Sequence, residues 1–237
     1  LDEADLLPAI FFIFSRAGCE AAVKACQYHS LRLTSREEAQ TIRRIVEEKV
    51  YNIADEDLAT LGYFEWLSGL ERGVAAHHAG MLPAFKEIVE ELFLRKLVKV
   101  VFATETLALG INMPARTVVL EKLTKWNGEG HVSITPGEYT QLTGRAGRRG
   151  IDIEGNAVVL WSPTVDSATA AGLASTRTYP LRSSFTPSYN MSINLIARFG
   201  RERARTSLES SFAQFQADRA VVGLVKQIKK NESARQE

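Results

Sequence analysis

Along the first two thirds of the chain, short runs of consecutive apolar residues alternate with helical patterns. That alternation leaves few architectures open. Pro8-Ala-Ile-Phe-Phe-Ile-Phe14 is apolar throughout, the pattern of a strand buried on both faces of a parallel sheet. Gly73-Val-Ala-Ala-His77, Val98-Lys-Val-Val-Phe-Ala103, Arg116-Thr-Val-Val-Leu120 and Gly155-Asn-Ala-Val-Val-Leu-Trp161 read as further strands. Helices are predicted between them, over about 17–29, 35–50, 55–69 and 83–95. Ser35 with Glu38 spells a capping box, in which side chain and backbone satisfy each other at a helix start. Thr135-Pro-Gly-Glu138 opens another helix, with Thr as cap and Pro in the first turn. Strands joined by helices predict an α/β fold with a mainly parallel sheet flanked by helices.

After Trp161 the strand signal fades. Residues 163–189 are rich in Ser, Thr, Ala and Pro and read as a linker. From Asn190 to Glu237 only helical periodicity remains. Ile193, Ile196, Ala197 and Phe199 form one apolar face, and Phe212, Phe215 and Val222 suggest another. The chain opens on Leu1 without Met and ends in a polar segment, Gln227 to Glu237, so it reads as a piece of a longer polypeptide.

Charge narrows the function classes. Twenty-nine Lys and Arg oppose 28 Asp and Glu, a net charge of +1. Such balance gives no global electrostatic attraction to nucleic acid or membrane, so any nucleic-acid site must come from local placement. With 45% apolar and 24% charged residues, overall disorder is excluded. No apolar run approaches the ~18 residues of a membrane span; the longest, Leu6 to Phe14, carries Pro8. No basic leader with a small-residue cleavage site is visible. Cys19 and Cys26 lie seven apart in a helical stretch and read as small core residues, in keeping with a reducing cytoplasm. His77 and His78 have no Cys or carboxylate at ligand spacing, so they read as core or loop residues and no metal site is expected.

Gln141-Leu-Thr-Gly-Arg-Ala-Gly-Arg148 carries the most chemistry. On a continuous helix, Gln141, Arg145 and Arg148 would share one face. Gly144 and Gly147 would clear space between the arginines, and Gly150 would end the element. Two guanidinium forks so placed suit a phosphate chain, since each can bind oxygens bidentately.

This stretch resembles motif VI of superfamily 2 helicases. Other motifs of their second RecA-like lobe follow in order. Phe12-Ile-Phe-Ser-Arg16 resembles motif IV. His77-His-Ala-Gly-Met-Leu-Pro83 and Ala103-Thr-Glu-Thr-Leu-Ala-Leu-Gly-Ile-Asn-Met-Pro114 resemble the corresponding stretches of the superkiller-type, exosome-assisting DExH-box helicases. Ser188-Tyr-Asn-Met-Ser-Ile-Asn-Leu195 resembles the join to their winged-helix region. The resemblance implies a RecA-like lobe over 1–162, the linker at 163–189, and the start of a helical, winged-helix region at 190–237.

The resemblance also implies roles. Arg148 would be the arginine finger that reaches the γ-phosphate of ATP, Arg145 a second phosphate arginine, and Gln141 a nucleotide contact. Gly110 and Asn112 would lie near the nucleotide's ribose. Ser15, Arg16, Gly80, Thr104, Glu105 and Thr106 would hold a nucleic-acid backbone. For Ser15 and Thr104, simple capping of the elements after each strand stays open as an alternative. Asn127-Gly128 marks a two-residue hairpin turn between motifs V and VI. Trp126 beside it would wedge or stack on a base, or simply pack.

Asp2-Glu-Ala-Asp5 spells the Mg²⁺-binding box of a first helicase lobe, yet only Leu1 precedes it where an apolar strand is needed. The chain also contains no Gly-x-x-x-x-Gly-Lys-Ser/Thr phosphate loop. The expectation is therefore half of an ATPase site, inactive alone, with ATP and Mg²⁺ held by a first RecA-like lobe of the same polypeptide. Single-stranded RNA, or else DNA, is the expected ligand, and a nuclease a partner in the full enzyme. A DNA-unwinding repair helicase and a non-catalytic nucleic-acid-binding module are the rival readings.

Overall fold

The computed structural model describes residues 1–108, 113–163, 165–176, 181, 183, 185–219 and 221. Gly110, Asn112, Val222 and the polar end at 227–237 lie outside them. The chain divides into two compact units, Leu1–Arg177 and Thr178–Glu237.

The first unit is built on five parallel strands in the order β2-β3-β1-β4-β7. These are β1 (Ala9–Phe12), β2 (Val74–His77), β3 (Val100–Ala103), β4 (Thr117–Leu120) and β7 (Asn156–Val159). β1 lies in the middle, with Ala9 opposite Val100 on one side and Thr117 on the other. Side chains alternate across the sheet, and both faces are covered, as the continuous apolar strands predict. Ile10, Phe12, Val101 and Val118 enter the larger core. There they meet α2 (Arg36–Val50), α4 (Tyr63–Glu71), α5 (Pro83–Leu94) and α6 (Pro136–Thr143). Val74, Ala76, Val100 and Phe102 form a smaller core with α1 (Arg16–Tyr28). Cys19 is fully buried there, and its thiol is pushed up to about 12, chiefly by burial. Both cysteines are free thiols.

Local signals explain the element ends. The Ser35–Glu38 and Thr135–Glu138 capping boxes both form, at the starts of α2 and α6. The helix expected over 55–69 is broken into α3 (Asp55–Thr60) and α4, because Gly62 takes a left-handed φ of 70°. The segment read as a linker starts with a helix of its own. Asp166 caps α7 (Ser167–Ser175), which packs on α6 and buries Leu173 in the main core.

The second unit contains α8 (Tyr189–Phe199), capped by Ser188, and α9 (Arg201–Glu209), joined at Gly200. Gln216 accepts the Ser183 backbone N–H and donates to the Leu181 carbonyl. Ile193, Ile196 and Phe199 stay exposed. No helix among the described residues is long and apolar enough to cross a membrane.

Two glycines should behave oppositely. A Cβ at Gly155 would lie 2.5 Å from the Ala146 carbonyl carbon and the Gly147 nitrogen, all backbone. A Cβ at Gly172, inside α7, would meet nothing within 4 Å. Gly155→Ala should therefore destabilise the lobe by roughly 1–3 kcal/mol. Gly172→Ala should be neutral or stabilising by up to about 1 kcal/mol. Chemical denaturation of the two variants beside wild type checks the contrast.

Candidate nucleotide and nucleic-acid site

Neighbouring parallel strands release their carboxyl ends side by side, and open α/β sheets place ligands at such ends. Here β2, β3 and β1 are adjacent, and Ala79, Thr104 and Ser15-Arg16 follow them directly. A hairpin of β5 (Thr124–Trp126) and β6 (His131–Ser133) follows β4, the other neighbour of β1. These exits enclose a cleft of about 370 Å³. Six of the seven expected strand-contact residues line it: Ser15, Arg16, Thr104, Glu105, Thr106 and Trp126. Gly80 lines an adjoining cleft of about 410 Å³, and Ala79 takes its place in the first. Phe14 and Lys125 also line the first cleft, and the sequence reading missed both.

The hydroxyls are partly engaged. Ser15 caps α1 by accepting the Gly18 N–H at 3.1 Å. Thr104 and Thr106 share a hydrogen bond of 2.9 Å. A hydroxyl has a donor and two lone pairs, so each still has capacity for a phosphate oxygen. Trp126 is 56% exposed, with its ring edge-on to His131 at 5.4 Å. The two-residue turn expected at Asn127-Gly128 is instead a four-residue loop, since Trp126 pairs with His131. The Asn127 carboxamide oxygen closes it by accepting the N–H groups of Glu129 and Gly130.

The arginine stretch does not form the continuous helix expected. α6 ends at Thr143, so Gln141 lies on the helix, exposed, while Arg145 and Arg148 lie beyond it. The chain then turns to run beside Ala115, just ahead of β4. The Ala115 N–H donates to the Arg145 carbonyl and the Gly147 N–H to the Ala115 carbonyl. Gly147 needs its positive φ of 88° for this, and its backbone touches Gly155. A Cβ on Gly144 would stand 2.7 Å from the Thr140 carbonyl oxygen. The glycines thus serve the loop's own close packing. The loop stands toward the amino end of β4, whereas the cleft opens at the carboxyl ends. α6 runs between the two.

Each arginine has a holder. Arg145 donates to the Ala108 carbonyl at 2.6 Å. Asp152 grips Arg148 side-on, accepting from Nε at 2.7 Å, Nη2 at 2.6 Å and the backbone N–H at 2.9 Å. This grip does not use Nη1. The Asp152 side chain is only 5% exposed, and Arg116 Nε lies 4.0 Å from its Oδ1, the oxygen that also accepts from Arg148 Nη2. Arg148, above all by hydrogen bonding, holds the Asp152 carboxyl down at about 2. The available signal for Asp152 was an acid four residues after the arginine. Arg116 also pairs with Asp5 at 2.6 Å, so the acidic tetrapeptide at 2–5 contributes a surface ion pair.

The two histidines are each met by one carboxylate. His78 accepts the Gly80 N–H on Nδ1, so its Nε2 carries the proton that faces Glu20 at 2.8 Å. His77 is buried with Nε2 2.8 Å from Glu90. Burial holds its pKa below the usual histidine value against the opposing pull of Glu90.

Residues 45–150, which carry the cleft exits after β2 and β3, the hairpin and the arginine loop, match the helicase conserved C-terminal domain. The chain carries a helicase C-terminal domain. Over 97% of its length it is 66% identical to a probable helicase, HelY, of Mycobacterium tuberculosis strain H37Rv. It is 65% identical to HelY of Mycobacterium leprae over 97% of its length. Identity to the exosome RNA helicase MTR4 of Homo sapiens is 39%, again over 97%. The chain spans 25%, 25% and 22% of those relatives, about a quarter of each. The parallel sheet and its flanking helices agree with a RecA-like lobe.

Asp152→Asn should cost about 1.5–3 kcal/mol at neutral pH, the worth of hydrogen bonds to a charged group. Asp152 titrates at about 2 when folded against an ordinary 3.8, so its contribution is complete above that ordinary value. It is lost as pH falls through about 2. Denaturation of wild type and variant across this range should show the gap closing on the acid side.

Proposed function

We propose that this chain is the second RecA-like lobe of an ATP-driven helicase that moves single-stranded nucleic acid, with RNA as the preferred strand. The observation that carries the reading is the pairing of two sites through one short helix. The cleft at the strand ends offers hydroxyls and an exposed indole to a sugar-phosphate chain, chemistry that grips backbone and base faces. At the other end of α6, Arg148 turns toward an anion the Nη1 edge that the Asp152 grip does not use, with Arg145 beside it.

Arg148, held on its Nε–Nη2 edge by Asp152, keeps Nη1 for the γ-phosphate of ATP bound on a first lobe. Arg145 supports a neighbouring oxygen, and Gln141, exposed on α6, meets the nucleotide. Gly110 and Asn112 stay assigned to the nucleotide's ribose by family resemblance. Closure of the two lobes would bring the arginines to the phosphates, and hydrolysis would release them. The strand held at Ser15, Arg16, Thr104 and Thr106 would then advance past the hairpin, with Trp126, beside the hairpin loop, against a base. Mg²⁺ would neutralise phosphate charge from the other lobe; among the described residues of this one, no cluster of three His, Cys, Asp or Glu gathers. RNA is preferred because MTR4 is named an RNA helicase. A nuclease complex is the partner class attached to that preference.

Two measurements test the reading. In the full-length protein, Arg148→Ala should lower strand-stimulated ATP hydrolysis by about 10³-fold or more, as loss of an arginine finger does, with strand binding largely kept. Near-normal turnover would overturn the finger assignment. Hydrolysis should be absent from this chain alone and appear on mixing with the first lobe. Comparing RNA with DNA as stimulant then separates the preferred reading from a DNA-unwinding enzyme, and no stimulation by either strand would leave a binding module.

A further inference from the structure

The Lys125 ammonium, on the first strand of the hairpin, meets two carboxylates at once. Its Nζ lies 2.7 Å from Glu105 Oε2 and 2.6 Å from Glu138 Oε1. The side chain is only 17% exposed. Burial pulls its pKa down, but the bonds to Glu105 and Glu138 outweigh that and hold it above the usual lysine value. The ammonium therefore stays charged at neutral pH.

The two carboxylates belong to different parts of the site. Glu105 opens the short 3-10 turn Glu105–Ala108 and stands between Thr104 and Thr106 on the cleft wall. Glu138 lies in the first turn of α6, and its other oxygen accepts the Thr135 N–H and hydroxyl. At the far end of the same 3-10 turn, the Ala108 carbonyl accepts Arg145, just past the end of α6. The cleft turn and α6 are thus tied at both ends, by Lys125 at one and Arg145 at the other. A displacement of the turn cannot leave α6 where it was without breaking one of these ties.

We propose that Lys125 is a positioning residue that couples strand engagement in the cleft to the arginine loop through α6. The inference rests on the helicase-lobe reading above. A strand phosphate pressing on Thr104 and Thr106 moves Glu105, Lys125 carries the motion to Glu138 and to the hairpin, and α6 delivers it to Arg145. Without Lys125, Glu105 and Glu138 face each other with no counter-charge, the hairpin loses its tie to both, and only the Arg145–Ala108 bond still joins the turn to the end of α6.

The test uses full-length protein and reads ATP hydrolysed and duplex displaced in the same reaction. Lys125→Met should lower the duplex displaced per ATP on the order of 5-fold, the low end of site-to-site coupling. Lys125→Arg, which keeps the charge, should restore most of it. Glu105→Gln, which cuts only one arm and bares no carboxylate, should move the ratio the same way and covers the case in which Lys125→Met fails to fold. An unchanged ratio in Lys125→Met would overturn the inference while leaving the helicase reading intact, as would an unchanged ratio in Glu105→Gln if Lys125→Met does not fold. Wild-type protein that neither hydrolyses ATP nor displaces a strand would overturn the helicase reading itself.

Discussion

The parallel pairing of β1 with β3 on one side and β4 on the other sets the position of the cleft and of the arginine loop. It is a hydrogen-bonded constraint, buried on both faces, and a one-residue slip would turn Ile10 and Phe12 out of the larger core. Because the register is fixed, so are the exits. The Ile13 N–H still donates to the Ala103 carbonyl after β1 has ended. That bond brings the Ser15 and Thr104 exits together on one cleft.

The opposite end of β4 shows a different economy. There the chain approaches itself so closely that side chains are excluded: Gly147 lies against Gly155, and Ala115 bonds to both sides of Ala146. The result is a closely packed loop carrying two large cations. A helix would have spread the same arginines along a face, whereas the loop fixes each by a different acceptor, a backbone carbonyl for Arg145 and a carboxylate for Arg148. The Arg148 charge is matched by a carboxylate there; the acceptor described for Arg145 is neutral.

Much of this was legible in the sequence. Continuous apolar runs gave the five strands of the sheet, and the capping boxes at Ser35 and Thr135 gave two helix starts to the residue. Ser15 and Thr104 could be placed at strand ends, because strand ends follow from hydrophobic runs. What could not be read depends on tertiary backbone contacts. Gly144 and Gly147 look the same in sequence whether they clear space for a ligand or for the chain's own backbone, the Thr140 carbonyl and Gly155 respectively. The helix over 55–69 breaks at Gly62 because a glycine can take a left-handed turn, yet glycine alone does not announce one. Lys125 and Asp152 escaped because their partners are chosen by the fold: Lys125 reaches 20 residues back and 13 forward.

Asp152 has a consequence that concerns time rather than geometry. A free arginine has many rotamers, and fixing them when an anion arrives weakens binding. Here Arg148 is immobilised on one edge by a carboxylate four residues along the same turn. The loss of side-chain freedom is completed when the lobe folds. Any anion that meets Nη1 finds an arginine already oriented, and the free energy of that encounter goes into attraction instead of ordering.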